Sequence, residues 1–226
     1  ITWIETYLLN KPKEDNKAFK KDSPLAALLK LNAVKQINGS YGDKVNGILI
    51  PETVLVKKDS ISIGRFEITN MQFRAYKESF SFLTGQDNYP AVVSKKDADS
   101  YTKWLTQKTG QNYRLPNIEE GKKLHKLAQK VAIKENTLNA WAGYDLTRND
   151  ASILLKKVET LKSTLLKKVG KYNPTKIGDA LIYDLGGNVA EYYNGGIYGY
   201  SAYDFYDNSD DSMVESKFVG FRVIKE

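Results

Sequence analysis

Hydrophobic positions follow a strand-like pattern in the region around residue 50. Residues 48–50, 54–56 and 61–63 hold β-branched residues in partial alternation, which predicts three strands. Upstream of them, residues 23–39 place Leu and Val at helical spacing between a Ser-Pro start and a Gly stop. This pattern predicts that residues 1–44 form a helical lead-in or linker.

Three helices are predicted in the segment that follows. Each begins at a polar residue that can cap a helix, namely Thr69, Ser94 and Asn117. An acidic residue three positions later, Asp97 and Glu120 in the second and third cases, gives the spacing of a capping box. A glycine ends the second helix.

A fourth helix with an apolar stripe is predicted over about residues 151–169. Leu154, Val158, Leu161 and Leu165 form the stripe, and five lysines make the segment basic. We interpret it as a helix inserted into the domain and packed on it. A partner helix or an anionic membrane surface is the alternative.

Beyond residue 171 the helical spacing disappears. Gly, Asn, Asp and Tyr dominate up to Asp211, and a last strand is predicted over residues 218–224. Irregular chain of this length is uncommon in compact domains and often carries function.

Composition narrows the classes of partner. The net charge is +7, yet residues 177–216 contain eight Asp and Glu and no Lys or Arg. The aromatic residues lie in this acidic part, whereas nucleic-acid binding needs basic and aromatic side chains together, so no nucleic-acid partner is expected. No apolar run is long enough to predict a membrane span.

Five short segments occur in order along the chain. They are residues 63–70 (IGRFEITN), residues 89–105 (beginning YPAVVS), residues 113–120 (YRLPNIEE), residues 183–192 (YDLGGNVAEY) and residues 220–223 (GFRV). In this order they resemble the motifs E-V-T-N, P-V-x-x-V-S-W-x-D-A, R-L-P-T-E-A-E-W, Y-D-M-x-G-N-V-W-E-W and G-F-R-V of the formylglycine-generating-enzyme (sulfatase-modifying-factor) family.

The resemblance covers about residues 45–226, which we predict to be one domain. It implies an α+β fold related to C-type lectins, with a small twisted antiparallel sheet, a few helices and much irregular chain.

The departures from the family concern its chemistry. The formylglycine-forming members use a cysteine pair that binds copper, and sulfoxide-forming relatives hold iron with several histidines. This chain has no Cys and one His, His125, so neither copper nor iron is expected and no catalytic residue is carried over. Gly121 and Ala190 stand where the family motifs have Trp.

Several motif residues are interpreted as structural. Arg114 and Arg222 are expected to bridge carboxylates or carbonyls. His125 lies among lysines and is expected to be packed or solvated. Trp104 and Trp141 are expected in the core.

Calcium is the one metal that the resemblance suggests. Asn188 and Glu191 match family positions that bind structural calcium, and Asp179 and Asp184 are further oxygen donors nearby in sequence. The alternative is that Asn188 and Glu191 satisfy local backbone groups, as buried polar residues must.

A Tyr-rich, acidic segment is the candidate ligand surface. Tyr supplies large rigid contact area, and small polar residues supply adaptable hydrogen bonds. The alternative is an aromatic loop that packs on itself and covers the sheet. The candidate ligand-binding residues are Tyr192, Tyr193, Tyr198, Tyr200, Tyr203, Tyr206 and Asp207.

These observations favour a non-catalytic binding or scaffold module of a bacterial envelope or surface protein, which recognises a protein or a glycan. The resemblance places it outside the cytoplasm, in the periplasm or at the cell surface. A ligand-binding protein diversified by a retroelement is one alternative. The others are a C-terminal module of a larger enzyme and an enzyme with unidentified metal-dependent chemistry. The oligomeric state is left open.

Overall fold

The computed structural model describes residues 36–37, 40–56, 61–130, 135–161, 164–205 and 216–226. Five α-helices lie in this part of the chain: α1 (Asn70–Tyr76), α2 (Lys95–Thr109), α3 (Ile118–Lys130), α4 (Leu138–Ala142) and α5 (Arg148–Thr160). None of these described helices combines the length and apolarity needed to cross a membrane. The helix predicted within residues 23–39 lies almost entirely outside the described residues.

The strands are short. They are β1 (Gln36–Ile37), β2 (Ser40–Tyr41), β3 (Asp43–Val45), β4 (Ile48–Ile50), β5 (Thr53–Val56), β6 (Ile61–Gly64), β7 (Tyr113–Arg114), β8 (Thr175–Ile177), β9 (Ala180–Ile182), β10 (Ala190–Tyr193), β11 (Gly196–Tyr198), β12 (Val219–Gly220) and β13 (Ile224–Lys225). The three strands predicted around residue 50 are confirmed as β4, β5 and β6. Strands also occupy much of residues 36–45, the end of the segment predicted as a helical lead-in.

Two sheets organise the domain. The larger has the order β5-β6-β13-β7, and all its neighbouring strands are antiparallel. The smaller has the order β11-β10-β12, in which β10 and β12 run parallel. Helices and irregular chain accompany these sheets, so the predicted α+β class with a small antiparallel sheet is confirmed. Lys35–Glu226 form one compact unit.

The predicted caps start the first three helices. The Thr69 side chain caps α1 in a complete capping box with Gln72. The Ser94 side chain accepts from the Asp97 backbone N–H at the start of α2. At α3 the Glu120 N–H donates to Asn117 Oδ1 at 2.9 Å, and the Asn117 N–H donates to Glu120 Oε2 at 2.7 Å. Each cap satisfies backbone donors that the helix itself leaves unbonded.

The fourth helix differs from its prediction over residues 151–169. α5 starts earlier, because Thr147 and Asp150 form a capping box, and it ends at Thr160. Residues 164–168 are not helical. Their backbone instead bonds to distant side chains: the Lys167 N–H donates to Asn188 Oδ1 at 3.0 Å, and the Lys167 carbonyl accepts from Asn188 Nδ2 at 3.2 Å.

The irregular region after residue 171 contains more strand than predicted, since β8 to β11 lie in it. The predicted strand over residues 218–224 is instead two short strands, β12 and β13, separated by residues 221–223. Phe221, Arg222 and Val223 are all fully buried. A regular strand would turn alternate side chains to opposite faces, and here three consecutive ones enter the interior.

The hydrophobic interior has two clusters. One joins α1, α2 and residues 221–223, where Tyr101 stacks on Phe73 with ring centroids 5.8 Å apart. The other joins β5, β6 and β9 to α3 through Leu124. Trp141 is buried and Trp104 is partly buried, as predicted for core residues.

Candidate functional site

Five polar side chains meet inside the domain: Glu67, Asp184, Asn188, Glu191 and Arg222. Each is at most 3% exposed. We call this group the buried polar centre. Ionised groups are costly to bury unless they are paired and hydrogen-bonded, so their partners decide what the centre can do.

Arg222 is the cation of the buried polar centre. Its Nε lies 2.8 and 2.9 Å from the two carboxylate oxygens of Glu191, and its Nη2 lies 2.6 Å from Oε1. Its remaining N–H groups donate to the carbonyls of Gly64, Tyr183 and Asp184 at 3.0 to 3.2 Å. Burial alone would lower the pKa of Arg222, but Glu191 outweighs it and the pKa lies above its ordinary value. The prediction that Arg222 is a scaffold residue is confirmed.

Tyr193 completes the partners of Glu191. Its hydroxyl donates to Glu191 Oε2 at 2.8 Å, and burial, followed by the nearby Glu191, raises the pKa of the phenol well above its ordinary value. The Tyr193 ring also explains Gly121. A Cβ atom at position 121 would overlap the ring, so the space of a family Trp is already filled.

Asn188 is the hub of the buried polar centre. Its Nδ2 donates to Glu67 Oε2 at 2.7 Å and to the Lys167 carbonyl. Its Oδ1 accepts from Asn136 Nδ2 at 2.9 Å and from the Lys167 N–H. Both amide hydrogens and both lone pairs of the oxygen are therefore used. Asn188 adopts a left-handed φ of 67°, which Asn tolerates better than most residues.

The carboxyls outnumber the single arginine. Glu67 accepts from the Val189 N–H at 3.1 Å and from Asn188, yet burial, followed by the charges of Asp184 and Glu191, raises its pKa well above the ordinary value. Burial also raises the pKa of Asp184 to about 6, even though the Gly170 N–H donates to Asp184 Oδ2 at 2.7 Å. Burial therefore opposes ionisation of both Glu67 and Asp184.

The two predicted calcium ligands do not fit that ion in this arrangement. Calcium is bound by six to eight oxygens, each with a lone pair directed at the ion. The side-chain oxygen of Asn188 already accepts two N–H groups, and both oxygens of Glu191 face Arg222. Asp179, a further predicted donor, is exposed. Among the described residues, no three Asp, Glu or His side chains converge as metal ligands.

The predicted tyrosine surface divides into interior and partly accessible residues. Tyr193, Tyr198 and Tyr200 are at most 9% exposed. Tyr192 and Tyr203 keep partial exposure. Tyr206 and Asp207 lie outside the described residues.

Tyr203 is partly exposed but firmly held. Its ring stacks on Phe218 with centroids 3.9 Å apart. Its hydroxyl accepts from the Leu165 N–H at 3.0 Å and donates to Thr164 Oγ1 at 3.3 Å. Of the described tyrosines in the segment, most therefore pack within the domain, as in the alternative of an aromatic loop that covers the sheet.

The carboxylate of a partly exposed residue, Glu135, is buried beside the buried polar centre. Both its carboxylate oxygens are shielded from water, and neither makes a hydrogen bond of normal geometry within the described residues. Burial, followed by the charge of Asp184, raises the pKa of Glu135 to about 8, and Arg222 and the Gly186 N–H offset only part of the increase. Its side chain packs against Gly186 and Gly187.

His125 is packed, in agreement with its prediction as a packed or solvated imidazole. The residue is 4% exposed, and its ring meets Tyr198 edge to face with centroids 4.9 Å apart. Its Nδ1 lies 3.4 Å from the Leu185 carbonyl. Arg114 is also the scaffold residue predicted, because it binds the carboxylates of Glu120 and Glu226.

Three residues of the site were not predicted: Glu67, Glu135 and Asn136. Glu67 stands in the segment that resembles E-V-T-N, so the motif contained a signal for it. Asn136 accepts from the nearby Trp141 Nε1 and donates to the Leu165 carbonyl and to Asn188, two more distant parts of the chain. Nothing in the local sequence marks Glu135 as buried.

No protein-family model matches the chain, and no curated protein sequence matches it. Among solved structures, the chain is similar to PvdO from Pseudomonas aeruginosa, with 19% identity, 74% of this chain and 80% of that chain covered, and a TM-score of 0.48. It is similar to CarF, with 16% identity, 73% and 85% covered, and a TM-score of 0.46. It is also similar to Treponema denticola variable protein 1, with 18% identity, 73% and 84% covered, and a TM-score of 0.44. At these identities and TM-scores they are similarities of structure alone.

Proposed function

We propose that this chain is a non-catalytic binding or scaffold module of a bacterial envelope or surface protein, located in the periplasm or at the cell surface, which recognises a protein or a glycan. The observation that carries the proposal is the closure of the buried polar centre. A catalytic side chain must reach its substrate, and the polar groups of the centre are sealed from solvent and bonded to one another.

The partners of these groups support a structural role for them. Arg222 joins its own segment to three other stretches of chain, through Glu191 and the carbonyls of Gly64 and of residues 183–184. Asn188 ties residues 164–168 to Glu67. Charge-assisted bonds of this kind hold irregular chain in place, which a rigid recognition surface requires.

The accessible part of the tyrosine segment is the proposed contact surface. Tyr192 keeps partial exposure in β10. Tyr206 and Asp207 follow in the same acidic stretch of sequence. The interior tyrosines are assigned to the framework that supports this surface.

Affinity capture from native extract tests the proposal. The intact chain is compared with the variant Tyr192→Ala/Tyr206→Ala and with the control Tyr144→Ala, which removes a tyrosine that is 58% exposed outside the segment. We expect the double variant to lose partners that the control retains, with both variants still folded at the temperature of the capture; some loss of stability is expected in the double variant because Tyr192 packs on the core. Capture of identical partners by all three proteins would exclude the tyrosine segment as the contact surface.

A further inference from the structure

A groove with two chemically different halves lies beside α3. It consists of two adjoining cavities of about 290 Å³ each, and both are lined by Glu119 and Lys123. Cavities of this size are small for a drug-sized ligand, but they suit individual side chains of an extended peptide. Neither half includes the buried polar centre.

The first half is apolar at its floor. Aliphatic side chains from β5, β6, α3 and β8 line it, and the Leu127 side chain in α3 remains 39% exposed. The polar rim includes Glu120, which Arg114 holds in place at 2.8 Å. These lining residues are Val56, Ile61, Leu124, Leu127 and Ile177. An aliphatic side chain entering this half would remove apolar surface from water.

The second half is basic. Lys122, Lys123 and Lys126 surround it, with Tyr198 at its base. Positions three and four apart share one face of a helix, so these ammonium groups point to the same region. Lys122 pairs with Glu119 at 3.3 Å, but Glu119 is 72% exposed, which makes this pair weak. Lys123 and Lys126 form no ion pair within the described ranges.

We propose that this groove binds an acidic peptide segment of a partner protein, with an aliphatic side chain seated between its carboxylates. The proposal rests on the binding role proposed above and specifies the class of ligand. The lysines fit the carboxylates by charge, and the floor around Leu127 fits the aliphatic side chain.

Other anionic ligands fit less of the groove. An anionic glycan would satisfy the lysines but has no aliphatic side chain for the apolar half. Single-stranded nucleic acid needs exposed aromatic faces on which its bases stack, and Tyr198 is only 7% exposed. The peptide uses both halves at once.

Fluorescence anisotropy with synthetic peptides tests this assignment. The probe is a labelled peptide of about twelve residues with one Leu among Asp and Glu, long enough to span both halves of the groove. The first variant, Lys123→Glu/Lys126→Glu, is matched by Lys96→Glu/Lys103→Glu, which changes the net charge equally on exposed positions of α2. The second variant, Leu127→Ser, is matched by Leu83→Ser, a position 71% exposed elsewhere.

We expect the lysine variant to bind the probe roughly tenfold more weakly than its control does, with the difference shrinking at high salt. Leu127→Ser, and replacement of the peptide Leu by Ser, should each weaken binding several-fold. Equal losses in the matched controls, or no binding of the probe by the parent chain, would overturn the proposal. Tighter binding of heparin than of the peptide, unaffected by Leu127→Ser, would assign the groove to anionic glycans instead.

The outcome is separable from that of the proposed function. Tyr192, the described residue altered in the capture experiment, does not line the groove. Probe binding should therefore survive in the tyrosine variant, whether or not that variant loses captured partners. Partner capture that survives in the lysine variant would leave the binding role intact and reject the groove.

Discussion

The buried carboxyl group of Glu135 should respond more clearly to a single substitution than the other acids of the site. Its carboxylate oxygens are shielded from water without hydrogen bonds of normal geometry among the described residues, and its pKa is raised from an ordinary value of 4.5 to about 8. In Glu135→Gln the side chain keeps nearly the same size and cannot ionise. The substitution therefore removes the ionisation and leaves the packing in place.

The pH dependence of the effect follows from proton binding. The folded chain keeps the Glu135 proton up to a pH of about 8, whereas the unfolded chain releases it near 4.5. Between these values the unfolded state binds fewer protons, so the free energy of unfolding of the parent protein falls as pH rises. At pH 7 the loss amounts to an upper limit of about 3.5 kcal/mol, at about 1.4 kcal/mol for each of the 2.5 pH units above 4.5.

Urea unfolding of the parent and of Glu135→Gln at pH 4.5, 6, 7 and 8.5 measures this difference. We expect the two proteins to be nearly equal at pH 4.5 and the variant to become progressively more stable toward pH 8.5. Glu119→Gln, which alters a carboxylate that is 72% exposed, is the control and should show no such trend. A stability difference independent of pH, or one that shrinks as pH rises, would refute the assignment of Glu135 as a buried neutral acid.

Three further predictions concern the buried polar centre and its neighbours. Arg222→Met leaves Glu191 buried without its cation and should lower the free energy of unfolding, measured in urea, by about 3–5 kcal/mol. Adding Glu191→Gln should recover part of this loss. A loss under about 1 kcal/mol would contradict the pairing of Arg222 with Glu191. Gly121→Ala places a Cβ on the Tyr193 ring and should lower the free energy of unfolding by about 1–3 kcal/mol in the same assay. When Tyr193→Leu is already present, the further loss caused by Gly121→Ala should be smaller. Additive losses in the double variant would show that the strain lies elsewhere. EDTA should leave the melting temperature unchanged, because Asn188 and Glu191 use their oxygens within the protein; a decrease that Ca²⁺ reverses would show that these side chains rearrange to bind the ion.

Local signals predicted the helix starts well. A cap involves a residue and the backbone three positions later, so Thr69, Ser94 and Asn117 carry the information within a single turn. The strands around residue 50 were predicted for the same reason, since alternation is visible within four residues.

Long-range contacts account for most of the differences between the predicted and the observed structure. The apolar spacing of Leu161 and Leu165 continues the stripe of α5 in the sequence. In the structure the backbone of residues 164–168 instead forms hydrogen bonds with the side chains of Asn136 and Asn188. The sequence predicted that Arg222 bridges carboxylates or carbonyls but did not identify Glu191 as its partner. The sequence also left open whether the tyrosines face a ligand or the interior. Their orientation depends on the pairing of β10 and β11 beside α3, and the segment itself carries no signal for that packing.

The position of Arg222 in the chain has a consequence for folding. The carbonyl of Gly64 that it binds lies 158 residues earlier. During synthesis from the N-terminus, Glu191 is also made before the guanidinium of Arg222 that pairs with it. Contacts of such separation close late and slowly, so the domain should stay open and sensitive to proteases until residue 222 has left the ribosome.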